Sequence, residues 1–227
     1  MEYIGKELQL FEKAVHWKNY WANQIAAHIH GDVLEVGAGI GANTPLFAAL
    51  DFKRWTCLEP DPSLLAECKK KLRNYPRYDF VEGTVADVGG VFDVLLYIDV
   101  LEHIEDDRAE MLRAAQRLNP GGTLIILVPA HQWLYSALDS AVGHFRRYKK
   151  KTLTGVIPPT LTQEKIVYLD SIGLLASLAN KLFLRQGMPT ETQIRIWDSF
   201  LIPISTILDR IIGYHAGKSA LGIWTKY

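Results

Sequence analysis

Three glycines spaced by two residues, Gly37-Ala38-Gly39-Ile40-Gly41, follow Glu35-Val36 and form the densest chemical signal in this 227-residue chain. Glycine lets a backbone turn tightly and approach a ligand closely, and a helix N-terminus facing the same turn would add unpaired N–H groups. Gly37, Gly39 and Ala42 also satisfy the G-x-G-x-x-G/A spacing of dinucleotide-binding turns. The loop alone therefore leaves two ligand types open. Glu35 bears on the choice, because a carboxylate at that point repels a diphosphate and attracts a cationic amino-acid group, directly or through water. Glu59, closing the next apolar run, is placed to accept hydrogen bonds from both hydroxyls of a ribose, which either ligand would carry.

Three histidines stand where proton transfer at neutral pH would be useful: His103, His131 and His144. His103 follows Asp99-Val-Leu-Glu, and its plainer role is to cap or orient that loop. His131 comes directly after an apolar run. His144 lies in Gly143-His-Phe-Arg-Arg-Tyr148, a segment that concentrates imidazole, guanidinium and ring groups. Such a loop suits substrate binding or lid closure by His144, Arg147 and Tyr148, with Arg146 and Arg147 matched to a phosphate or carboxylate. Its bland alternative is a solvated basic turn running on through Lys151. Trp17, Tyr20 and Trp21 read mainly as a packing face. The only cysteines, Cys57 and Cys68, have no histidine at ligand spacing, so neither a metal site nor a disulfide framework is expected.

These residues need a frame to hold them. Helical spacing of Leu8, Phe11, Val15, Tyr20, Trp21 and Ile25 predicts one or two amphipathic helices over residues 8–29. Short apolar runs at 33–36, 55–58, 78–81, 92–97 and 123–128 read as strands, with 165–169 and 220–225 as a sixth and seventh. Helices are expected at 43–50, at 63–74 with Ser63 as N-cap, and at 108–117, where Asn119-Pro-Gly-Gly122 forces a turn. Strands alternating with helices imply an α/β fold: a mostly parallel seven-stranded sheet, buried between helices on both faces. Residues 1–30 would form a helical cap, 31–170 with 214–227 the core, and 171–213 an apolar helical insertion before the last strand. Within that insertion, helices are expected at 174–184 and 194–212, the second kinked or restarted at Pro203. Its apolar faces suit a lid, a homodimer interface, or peripheral contact with a membrane or lipid acceptor aided by Lys181, Arg185 and Arg195.

Lysine plus arginine equals aspartate plus glutamate at 25 each, so nothing global draws the chain to nucleic acid. No apolar run reaches membrane-spanning length, and the charged start lacks a secretory core. A cytoplasmic protein is expected, with membrane association left to the insertion.

Four segments carry a family resemblance. Val33-Leu-Glu-Val-Gly-Ala-Gly-Ile-Gly41, Leu58-Glu-Pro-Asp61, Phe92-Asp-Val-Leu-Leu-Tyr-Ile-Asp-Val-Leu-Glu-His103 and Leu118-Asn-Pro-Gly-Gly-Thr-Leu124 resemble, in order and spacing, the motifs of class I S-adenosylmethionine-dependent methyltransferases. The segment from Leu134 to Tyr148 resembles a loop of the type-11/12 small-molecule group. The resemblance implies a Rossmann-like fold and S-adenosyl-L-methionine as cofactor. It would place Glu35, Gly37, Ala38, Gly39 and Gly41 around the methionine part, Glu59 on the ribose, and Pro60 against the adenine. Gly83, Thr84 and Val85 would lie at the adenine edge, where Thr84 replaces the acid often found in the family. Ile98 and Asp99 would close the pocket near the sulfonium, and Tyr20 would reach the methionine end. The implied activity is methyl transfer to a small-molecule or lipid- or glycan-linked acceptor, at oxygen or nitrogen rather than carbon. Two rivals remain at this level: a nicotinamide-dependent oxidoreductase and a cofactor-binding module without catalysis.

Overall fold

The computed structural model describes residues 6–181 and 189–227. Seven strands, β1 (Gly31–Val36), β2 (Phe52–Glu59), β3 (Tyr78–Glu82), β4 (Phe92–Ile98), β5 (Leu118–Pro129), β6 (Leu161–Leu169) and β7 (Ser219–Lys226), form one sheet in the order β3-β2-β1-β4-β5-β7-β6. The first five run parallel, while β7 is antiparallel to both β5 and β6. This is the mostly parallel Rossmann-like sheet that the apolar runs predict. The strand period of two sorts side chains cleanly: Val94 and Leu96 enter one core layer, Leu95 and Tyr97 the other. Both layers are buried, which explains why these strands lack polar alternation.

The helices are α1 (Lys6–Glu12), α2 (Val15–Ile25), α3 (Pro62–Leu72), α4 (Asp107–Gln116), α5 (Ala137–Ala141), α6 (Lys150–Thr154), α7 (Ser171–Ala179), α8 (Glu191–Ile196) and α9 (Ile202–Ile211). Three expectations fail locally, the first at Asn119–Gly122, read as a turn but carried within β5 across a register shift against β4. Residues 43–50 make only a 3-10 turn, Thr44–Phe47, because Thr44 Oγ1 is drawn 2.7 Å to buried Glu35 and Phe47 stacks on Trp55 with centroids 5.2 Å apart. The cap of α3 is Asp61 rather than Ser63: its carboxylate accepts from the N–H groups of Ser63 and Leu64, and Pro62 occupies the first helical position.

The described residues between β6 and β7 are largely helical, as expected. α8 and α9 are joined by a π-helical turn, Trp197–Leu201, immediately before Pro203. Proline lacks the N–H that an α-helix would use there, and the wider turn accommodates the break. Phe183, Leu184 and Arg185 lie outside the described residues. Buried carboxylates lock the insertion down. Asp209 accepts from the Tyr20 hydroxyl (2.7 Å) and from the Asp170 and Ser171 N–H groups. Asp198 accepts from the His16 and Trp17 N–H groups and so caps α2. On the outer side Ile196, Phe200, Ile204, Ile207 and Ile211 form an exposed stripe. No helix among the described residues is long and apolar enough to cross a membrane.

Candidate active site

A cavity of about 790 Å³ opens along the carboxyl ends of the central parallel strands, where open α/β sheets bind ligands. Its size suits a nucleoside cofactor together with a small second molecule. One half is built by the β1 and β2 turns. Gly37, Gly39 and Gly41 all have positive φ, which glycine alone adopts at no steric cost. They differ in what they face. A Cβ on Gly37 would strike Val100 at 2.6 Å and one on Gly41 would strike Cys68 Sγ at 2.8 Å, whereas above Gly39, among the described residues, only Leu8 comes near, at 3.6 Å. Gly39 is thus the position that leaves room for a ligand. Its N–H donates to Glu59 Oε2 (2.8 Å), and the Asp61 N–H donates to Oε1 (3.0 Å). A carboxylate has about four lone-pair sites, so two remain for ribose hydroxyls. Burial raises the Glu59 carboxyl pKa, and these two backbone bonds oppose the shift.

The other half is polar and comes from the loops after β4 and β5. Asp99 adopts a left-handed conformation (φ 54°) and lines the cavity. Burial pushes its carboxyl up to about 6, against the pull of His144, Lys218 and Arg147. His144 Nδ1 pairs with Asp139 Oδ1 at 2.9 Å, and its ring meets His103 edge-on with centroids 4.5 Å apart. Asp139 also accepts from Arg147 Nε (2.6 Å) and Nη2 (2.9 Å). Although burial works against it, those partners hold Asp139 well below the usual carboxylate range. Glu102 has no exposed surface and, among the described residues, neither of its oxygens has a hydrogen-bond partner, so burial drives its carboxyl far up. Burial and neighbouring His144 push His103 down to about 4. Lys218 sits 4.6 Å over the Trp197 ring and closes this half from the β7 side.

Known proteins resemble this chain in sequence and fold. A family model described as a methyltransferase domain matches residues 34–124. The trans-aconitate 2-methyltransferase of Deinococcus radiodurans is 27% identical over 205 residues, 83% of this chain and 78% of that one. Among solved structures, the N-methyltransferase NodS from Bradyrhizobium japonicum WM9 with S-adenosyl-L-homocysteine superimposes with a TM-score of 0.59 at 16% identity, covering 95% and 87% of the two chains. A geranyl diphosphate methyltransferase in complex with S-adenosylmethionine gives 0.66 at 10% identity, covering 99% and 91%. These matches support a class I S-adenosylmethionine-dependent methyltransferase, whose methyltransferase domain matches residues 34–124. Its cofactor is S-adenosyl-L-methionine, which settles the choice that the glycine spacing left open against a dinucleotide.

Not every residue expected around the methyltransferase's ligands reaches the cavity. Gly37, Ala38, Gly39, Glu59, Pro60, Gly83, Thr84, Val85, Ile98, Asp99, His103, His144 and Arg147 line it. Thr84 does so with its hydroxyl already donated to Asp87 (2.7 Å). Glu35 does not line it. Strand alternation turns its side chain under the loop, where Thr44 Oγ1 (2.7 Å) and Trp55 Nε1 (2.8 Å) donate to it and burial pushes it up to about 7. Gly41 likewise faces α3 and not the ligand. Tyr20 is spent on Asp209, and Tyr148 on Asp107 (2.7 Å), both in the core. His131 points away as well: from a left-handed backbone (φ 66°) its Nε2 bonds the Gly217 carbonyl (2.9 Å), and its ring packs on Tyr168. Arg146 is committed to Asp107 (2.7 Å). Conversely, Glu102, Asp139, Trp197 and Lys218 were not singled out by sequence reading. Glu102 and Asp139 lie inside segments that carried a signal, whereas Trp197 and Lys218 reach the site only through the fold.

Proposed function

We propose that this methyltransferase methylates a small molecule with an apolar body and an ionisable hydroxyl or amino head, at oxygen or nitrogen. The observation that carries this reading is the continuity of one cavity from Gly39 and Glu59 to His103 and His144. Glu59 would hold the ribose, Pro60 and Val85 the adenine, and Ile98 with Asp99 the sulfonium end. The acceptor's head would then lie against His103, His144 and Arg147, its body along Phe11, Trp17 and Trp197. In-line displacement forms the acceptor–methyl bond as the carbon–sulfur bond breaks. Its electron pair stays on sulfur, giving S-adenosylhomocysteine, and the acceptor's proton is lost at the polar end of the cavity. Most of the rate comes from orientation within a site that excludes water. Residues 171–213 and the N-terminal helices would act together as a lid, a reading supported by Trp197 in the cavity wall and by Asp198 capping α2.

The test is turnover of methyl-labelled cofactor over a panel of small phenols, hydroxy acids, alcohols and amines, with mass spectrometry locating the label. Label on oxygen or nitrogen of an amphiphilic compound is the expected result. Label on carbon, or none on any member, would overturn the proposal.

A further inference from the structure

Glu102 poses a physical problem that the cofactor does not solve. A fully buried carboxylate with neither oxygen paired carries its whole desolvation cost. Two imidazoles stand beside it. One donor atom each from Glu102, His103 and His144 lies within 4.8 Å of the others, and the direct separation of His144 Nε2 from Glu102 Oε1 is 3.9 Å. A single point therefore lies within about 2.8 Å of all three atoms. A hydrogen-bonded water needs roughly 2.8 Å to each partner without compression, while a first-row metal sits at about 2.0–2.2 Å and requires the ligands to close in by well under 1 Å.

We propose that Glu102, His103 and His144 form a binding site for a divalent transition-metal ion of the zinc class at the acceptor end of the cavity. This rests on the proposed acceptor position and gives it a chemical agent. The surroundings fit. His144 has its Nδ1 engaged by Asp139, which leaves Nε2 directed at the cluster, and Asp139 is itself fixed by Arg147 and Ser136. A carboxylate behind a histidine ligand is the usual outer-shell support of such sites. Two imidazoles with one carboxylate favour zinc, iron, cobalt or manganese over magnesium or calcium. Three protein ligands leave a position open toward the cavity. An acceptor oxygen bound there loses its proton to water more readily, then forms its bond to the methyl carbon while the carbon–sulfur bond breaks. His144 then acts through the ion instead of taking the proton itself. The ion changes no oxidation state. Chain spacing hides this set, since His144 comes from a loop 41 residues beyond His103.

Untagged protein stripped with EDTA and titrated with Zn²⁺ by calorimetry tests the proposal, with Co²⁺ visible absorption as a second readout. The expected result is one ion per chain with Kd below the micromolar range. Glu102→Gln should weaken it at least 100-fold and Asp139→Asn by about 10- to 100-fold. S-adenosylhomocysteine binding should stay within threefold in both variants, which also shows that they remain folded. Substoichiometric uptake by the stripped protein, or full affinity in Glu102→Gln, would overturn the site. If the stripped protein still methylates its acceptor at the original rate, the metal assignment falls and the acceptor proposal stands. If zinc binds as described but no hydroxyl or amine is methylated, the acceptor proposal falls and the site stands.

Discussion

The two ends of the cavity are built on opposite principles. At the cofactor end the protein's polar groups are already paired with one another: Glu59 with the Gly39 and Asp61 N–H groups, Glu35 with Thr44 and Trp55. At the acceptor end, Glu102 and Arg147 Nη1 have no hydrogen-bond partner although both are buried. A satisfied site is rigid before its ligand arrives, and binding costs it little reorganisation. A site with orphaned polar groups holds a deficit that only the missing partner removes. Under the proposed assignment, the half around Gly39 and Glu59 is a preformed receptor, while the half around Glu102 is incomplete until occupied.

Mutations should separate the halves, and the largest effect is expected at the acceptor end. His144→Ala should lower kcat by about 10²- to 10⁴-fold while leaving the affinity for S-adenosylhomocysteine within threefold. Steady-state kinetics with parallel calorimetry would show this, and an equal loss in both quantities would dissolve the distinction. At the other end, Glu59→Ala removes the proposed ribose acceptor and the clasp on Gly39. It should weaken S-adenosylhomocysteine about 100-fold or more, since hydrogen bonds to a charged group contribute about 1.5–3 kcal/mol each. A loss below about fivefold would remove Glu59 from the ribose.

Beneath the cofactor loop, Glu35 predicts a pH effect. Its folded pKa of about 7 exceeds the ordinary value of 4.5, so the folded state holds the proton more tightly than the unfolded chain. Stability from this group is complete below pH 4.5 and declines as pH rises to 7, by up to about 3 kcal/mol. Glu35→Gln keeps an acceptor for Thr44 and Trp55 and should flatten that decline in urea denaturation of the cofactor-free protein. An unchanged pH profile would mean that Glu35 is ionised in the fold. The smallest effect belongs to the tyrosines. Tyr20→Phe and Tyr148→Phe should each cost about 1 kcal/mol of stability with KM for either substrate unchanged. A raised KM in either variant would return that tyrosine to the site.

Legibility in the sequence followed the same division. The glycine turn, Glu59 and the strand ends were readable because each is local: a few consecutive residues fix both the backbone shape and the group it presents. Glu35 was misplaced although the information was present. Val33 and Glu35 share one face of β1 and Leu34 with Val36 the other, and the face of Val33 packs under the N-terminal helices. His131 and His144 both follow β5, and the denser loop around His144 favours it without excluding His131. A left-handed backbone at His131 and the Gly217 carbonyl from the far side of the insertion decide it. Lys218 and Trp197 enter the wall from β7 and the π turn, so no local pattern could announce them. Asp61 took the cap from Ser63 because Pro62 favours the first helical position, a signal that was readable but outweighed by the serine.

The most direct measurement is a crystal structure with S-adenosylhomocysteine. The account predicts both ribose hydroxyls on Glu59 at about 2.8 Å, the sulfur directed toward Asp99 and the His103–His144 pair, and Glu35 still bonded to Thr44 and Trp55. A nucleoside lying the other way along the cavity, with its sulfur beside Pro60 and Val85, would contradict it.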